Sequence, residues 1–131
     1  MKAVGEKALK WSIVIGTNPG YGSNIRSIMN ETDFLNYVRD TADKVYENTG
    51  IYISALVFPA SVMYRKEWGC PLDGEPVFIL TGCIKFDFNN LENCRSALFL
   101  FTKDLRQKLG QCTVSLDITQ TEFFRFEEES I

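Results

Sequence analysis

The sequence predicts an α+β fold: two β-α-β units forming one four-stranded mixed sheet, with two helices on one face. Three observations carry that expectation. Two segments repeat apolar residues at helical spacing, and four others are rich in β-branched and aromatic residues. They follow one another as β-α-β, a connection, then β-α-β, and right-handed crossovers put both helices on the same side.

The first strand is "LKWSIVIG", where Trp11, Ile13 and Ile15 alternate with Ser12 and Val14. Residues 1–9 read as an N-terminal arm before it. A glycine-rich stretch follows, and then "NETDFLNYVRDTADKVYENTG" reads as a helix. Its apolar positions Phe34, Leu35, Val38, Ala42, Val45 and Tyr46 recur at helical spacing. Asn30 or Thr32 can cap its start, Glu31 and Asp33 suit the positive dipole end, and Gly50 sits where a left-handed cap would stop it.

The second strand lies in "IYISALVFPASVMY", apolar at both parities, with Pro59 marking an edge or a bulge. "RKEWGCPLDGE" is a connection, and "PVFILTGCIKFDF" starts the third strand. "NNLENCRSALFLFTKDLRQKLG" is the second helix, capped by Asn89 or Asn90 and ended by Gly110. Leu91, Cys94, Leu98, Phe101, Leu105 and Leu109 form its stripe, while Phe99 and Leu100 lie off it. The last strand, "CTVSLDITQTEFF", turns Cys112, Val114, Leu116 and Ile118 inward. Residues 127–131 form an acidic tail, and residues 1–131 read as a single domain.

Composition narrows the function. The 131 residues carry a net charge of -3, which argues against duplex nucleic acid or an anionic membrane as main partner. No signal peptide or membrane span is visible, and reduced cysteines in a cytoplasmic protein fit best. The four cysteines have no metal-ligand spacing, three of them read as small core residues, and no cofactor or metal motif appears. The absence of histidine removes imidazole bases and the triads built on them. The middle strands are apolar on both faces but have helices for only one, so further copies of the chain should cover the other.

The stretches "TGIYIS", "EWGCPLDGEPVFIL", "NNLENCRSALFLFTKDLRQKL" and "TVSLDI", roughly the last 80 residues, resemble the tautomerase superfamily. The likeness is to its 5-carboxymethyl-2-hydroxymuconate isomerase branch, and it implies that scaffold and a trimer or a multiple of it. The same element order also fits the ferredoxin-like superfold. The family's N-terminal proline is missing, since this chain begins Met1-Lys2-Ala3, and "ALVFPASV" lacks the family's arginine. The resemblance therefore implies the scaffold without the chemistry.

Several groups are candidates for ligand contact. The backbone of "GTNPGYGSN", with Asn18, Tyr21, Asn24 and Arg26, could form an anion-binding nest, although no nucleotide fingerprint applies. The plainer reading is a connection with a turn at "NPGY". Tyr64, Arg65, Lys66 and Trp68 set cations beside aromatics, which suits either stacking on a ligand ring or a subunit contact. Arg125 either pairs with neighbouring acids or reaches a ligand between subunits. Glu67 and Glu75 flank the tryptophan turn, and a carboxylate in an apolar pocket can do proton-transfer work. Arg95, Lys103, Arg106 and Lys108 read as the solvated face of the second helix.

These features together point to a non-catalytic homo-oligomer. It would bind or sequester a small anionic, nucleotide-like molecule in pockets between subunits, as a phage-type sponge for a defence signal would. The alternative is an isomerase or tautomerase whose base is Glu67, Glu75 or Tyr64 in place of the terminal proline.

Overall fold

The computed structural model describes residues 1–16, 30–87, 90–111 and 114–129. Its elements are β1 (Lys2–Gly16), α1 (Glu31–Thr49), β2 (Leu56–Val62), β3 (Glu75–Lys85), α2 (Leu91–Lys108) and β4 (Ser115–Glu127). The class and the element order are those the sequence predicts.

The sheet runs β2-β3-β1-β4, and every neighbouring pair is antiparallel. The two strands of each β-α-β unit are thus separated by a strand of the other unit, as in a ferredoxin-like sheet. The expected mixed sheet is corrected to an antiparallel one. Periodicity shows which residues face the helices, but it does not show which strands become neighbours.

Helix α1 begins and ends where its caps require. The Asn30 side chain accepts a hydrogen bond from the Asp33 N–H at 2.8 Å. Gly50, at φ 74°, closes the helix by donating its N–H to the Tyr46 carbonyl. At the start of α2, Asn90 instead exchanges hydrogen bonds with Asp87, at 2.7 and 3.1 Å, in a reciprocal turn.

The core lies between the helices and one sheet face. Leu9, Trp11, Ile13 and Ile15 of β1 are fully buried against Phe34, Val45, Leu98, Phe101 and Leu105 of the helices. Phe34 stacks on Phe78 at 4.1 Å, and Trp11 meets Phe101 edge-on at 5.9 Å. Opposite Trp11 in register, Gly82 leaves room for the indole: an added Cβ would lie 3.0 Å from it and 2.5 Å from the Ser54 carbonyl oxygen. Cys94 joins this core, whereas Cys70 is half-buried, Cys83 is exposed and Cys112 lies outside the described residues. Only one of the cysteines expected inside is therefore buried among the described residues.

Two features position everything discussed below. First, the arm expected at residues 1–9 is the first half of β1. Lys2–Lys7 pairs with Glu122–Glu127 beyond the last partner on β3, so these strands continue as a two-stranded ribbon. Second, the sheet face away from the helices is apolar on its β2 side. Phe58, Ile79 and Val14 form one cross-strand row, and Leu56 and Phe58 are 66% and 39% exposed. Ser115, Asp117 and Thr119 make the β4 side of that face polar.

Candidate functional site

The β2–β3 hairpin brings four of the expected site residues together. Val62 pairs with Glu75 at its base, and residues 63–74 form the excursion. A short 3₁₀ turn, Lys66–Trp68, is closed by Trp68 N–H to Arg65 O at 2.9 Å and Gly69 N–H to Lys66 O at 3.0 Å. Gly69 takes φ 93° to leave the turn, a conformation side chains rarely adopt. The Tyr64 N–H donates to Cys70 Sγ at 3.4 Å, and its hydroxyl donates to the Gly69 carbonyl at 3.4 Å. Gly74 is buried at φ 81°, where a Cβ would come within 2.7 Å of Met63 Sδ.

This scaffold holds the Trp68 indole outward, 67% exposed, with Tyr64 half-buried beside the turn. Arg65 Nε is engaged with Glu67 Oε2 at 3.1 Å, and both side chains face solvent. Glu75, half-buried at the hairpin base, has no ion pair among the described residues. A ligand at this end can use it without displacing an ion-pair partner.

Arg125 is elsewhere. It lies on the ribbon opposite Val4 and pairs with the Glu127 carboxylate. Gly16, which pairs with Val77 near the hairpin, is twelve positions along β1 from Val4. At strand rise that is about 40 Å, so Arg125 and Trp68 cannot touch one ligand within a single chain. Asn18, Tyr21, Asn24 and Arg26 fall outside the described residues, although the segment's flanking Gly16 lies at the hairpin end of the sheet.

Two adjoining clefts at the ribbon end were not foreseen. One, of about 530 Å³, runs between Lys7, Phe86, Leu91 and Gln120, with Glu92 and Glu122 on its rim. The other, of about 560 Å³, shares Lys7 and Phe86 and adds Glu6, Lys85 and Asp87. The only sequence signal was the aromatic in "IKFDFNN", where the strand pattern breaks. Nearby, burial and then the Asp87 charge push the Cys94 thiol above its ordinary value, so it stays a neutral core group.

The model of the SAM lyase family matches residues 6–127, from the ribbon to the end of β4. Two solved structures share the fold. A phage SAM lyase in its apo state has a TM-score of 0.57 and 17% identity, covering 94% of this chain and 92% of that one. A phage SAM lyase in complex with S-methyl-5'-thioadenosine has a TM-score of 0.56 and 18% identity, covering 95% and 93%. No curated protein matches the sequence.

These findings overturn three expectations. The tautomerase resemblance gives way, because it rested on element order, which unrelated sheets share. The non-catalytic sponge and the isomerase alternative both fall, because the matching family is one of lyases. From the ribbon through both β-α-β units, the chain belongs to the SAM lyase family.

Proposed function

We propose that this chain is an enzyme that cleaves S-adenosylmethionine, and that the hairpin end of the sheet holds the substrate. The observation that carries the reading is the family match across residues 6–127. The S-methyl-5'-thioadenosine held by a structural neighbour supports it, since that thioether keeps the methyl and adenosyl groups of S-adenosylmethionine.

The substrate's chemistry revises the ligand expected from sequence. Its reactive centre is a sulfonium cation, not an anion. Aromatic faces and carboxylates complement such a centre better than guanidinium groups do. On the hairpin those groups are Trp68, Tyr64 and Glu75, with Trp68 also able to stack on the adenine. Arg65 is already held by Glu67 and is assigned no role in binding.

Release of the thioether breaks the bond between sulfur and the methionine side-chain carbon. The electron pair of that bond passes to sulfur, which loses its charge. A lyase adds no water, so the substrate itself must satisfy the carbon left behind. Attack by the substrate's own carboxylate forms a carbon–oxygen bond, closes a lactone and moves no proton. Loss of a neighbouring proton would instead need a base such as the Glu75 carboxylate, whereas ring closure needs none. Ring closure, which asks least of the protein, is the route proposed. The protein's tasks are then to fold the substrate, screen its cation and keep water out.

The apolar β2 side of the open sheet face lies beside the hairpin, and further copies of the chain are read as packing there. No helix among the described residues is long and apolar enough to cross a membrane.

Turnover in ¹⁸O-labelled water tests the chemistry. Ring closure leaves the carbon that bore sulfur bonded to unlabelled oxygen. A hydrolase would put the label on that carbon, and no turnover at all would end the proposal.

A further inference from the structure

We propose that the free edge of β1 in the ribbon docks on the same edge of a second copy of the chain, the two strands running antiparallel about Val4. β3 accompanies β1 only as far as Lys7, whose carbonyl accepts the Phe86 N–H at 3.0 Å. In an antiparallel strand, alternate residues turn both backbone groups to the same side. Ala3 and Gly5, of the same parity as Lys7, therefore present their N–H and C=O groups to the side that β3 has left. No strand pairs with them there among the described residues. A two-stranded ribbon is marginal in water by itself, and an unpaired edge is a template for another strand.

Charge selects both the partner and the register. Lys2 has no ion pair among the described residues, because Glu127, opposite it on β4, is held by Arg125. Glu6 bridges to Lys85 at 3.4 Å, yet 37% of its side chain stays exposed. With Val4 on a twofold axis, Lys2 of each chain faces Glu6 of the other. Ala3 and Gly5 of opposite chains then become hydrogen-bonded pairs, and Val4 meets its own copy in a non-hydrogen-bonded pair. An axis on Ala3 would set Lys2 against Val4, and one on Gly5 would set Glu6 against Val4. Only the Val4 axis matches the charges.

The other face of the ribbon suits the same arrangement. Phe124 and Phe126 are exposed there, opposite Gly5 and Ala3. These small residues leave room between the aromatics of the two ribbons, so joining the edges covers apolar surface that one chain exposes. Residues 2–6 of each chain bury less than the roughly 1,200 Å² of a stable interface, so the contact is weak by itself.

The test traps the contact covalently in the full chain. Val4 Cα atoms in such a pair lie about 4.5 Å apart, which suits a disulfide. Lys2 and its own copy would be four positions out of register, about 13 Å apart. With oxidised glutathione taking up the two electrons, Val4→Cys should form a bridge between the introduced thiols, identified by peptide mass spectrometry. It should form at least about tenfold faster than in Lys2→Cys. On the Val4→Cys background, Lys2→Glu sets like charges opposite and should slow bridging about tenfold, and adding Glu6→Lys should restore it to within about threefold. Bridging no faster than in Lys2→Cys, or a loss that the second charge reversal does not restore, would overturn the proposal. No substrate enters the readout, so the result stands apart from S-adenosylmethionine cleavage.

Discussion

The hairpin and the ribbon are opposite ends of one sheet, and they are built differently. At the hairpin, two glycines in left-handed conformations and a 3₁₀ turn hold Trp68 out in solvent beside an apolar sheet face. At the ribbon, two strands leave the sheet together, and the step between ribbon and α2 creates two open clefts. The hairpin has sulfonium-compatible groups but needs a covering wall, whereas the ribbon end has walls within a single chain.

Substitutions at the two ends should separate them. The largest effect is expected for Glu75→Gln, with a drop of about 100-fold in the rate of S-adenosylmethionine cleavage. Equal activity in that variant would move the site away from the hairpin. Backbone geometry comes next. Gly74→Ala forces a Cβ into Met63 at an unfavourable φ and should cost about 2 kcal/mol in denaturant unfolding. Gly5→Ala meets only the half-exposed Phe124 ring, which can swing aside, and should cost about 1 kcal/mol or less.

Smaller effects sharpen the contrast further. Trp68→Ala should raise KM about tenfold through lost stacking. With Trp11 fully buried, the exposed Trp68 should dominate any fluorescence change when S-methyl-5'-thioadenosine binds. The least disruptive probe is chemical. Cys83, exposed on the open face, should label rapidly with maleimide in dilute chain and slowly once copies associate, while buried Cys94 stays unreactive throughout. Concentration-independent labelling of Cys83 would count against association through that face.

Much of the fold was legible because its signals are local. Asn30 and Gly50 bound α1 by capping chemistry, and the alternation of Trp11, Ile13 and Ile15 names the buried side of β1. Strand neighbours were not legible, because the partner of Trp11 is Gly82, seventy-one positions away, and glycine carries no periodic signal. The ribbon was missed because only its β4 side, with Phe123, Phe124 and Phe126, carries large apolar residues. Most β1 residues there, Lys2, Ala3, Gly5, Glu6 and Lys7, are polar or small, so the hydrophobic pattern of β1 fades while the pairing continues. Of the candidate site, the hairpin cluster of Tyr64, Arg65, Lys66 and Trp68 was visible from composition. The Arg65–Glu67 ion pair was not, because it forms only once the turn between them closes. The remoteness of Arg125 follows only from the register of β1.

The most direct measurement incubates the wild-type chain and Glu75→Gln side by side with S-adenosylmethionine and follows S-methyl-5'-thioadenosine by chromatography. Steady formation by the wild type, nearly lost in the variant, is the expected result. Binding of S-adenosylmethionine without any thioether release by the wild type would contradict it.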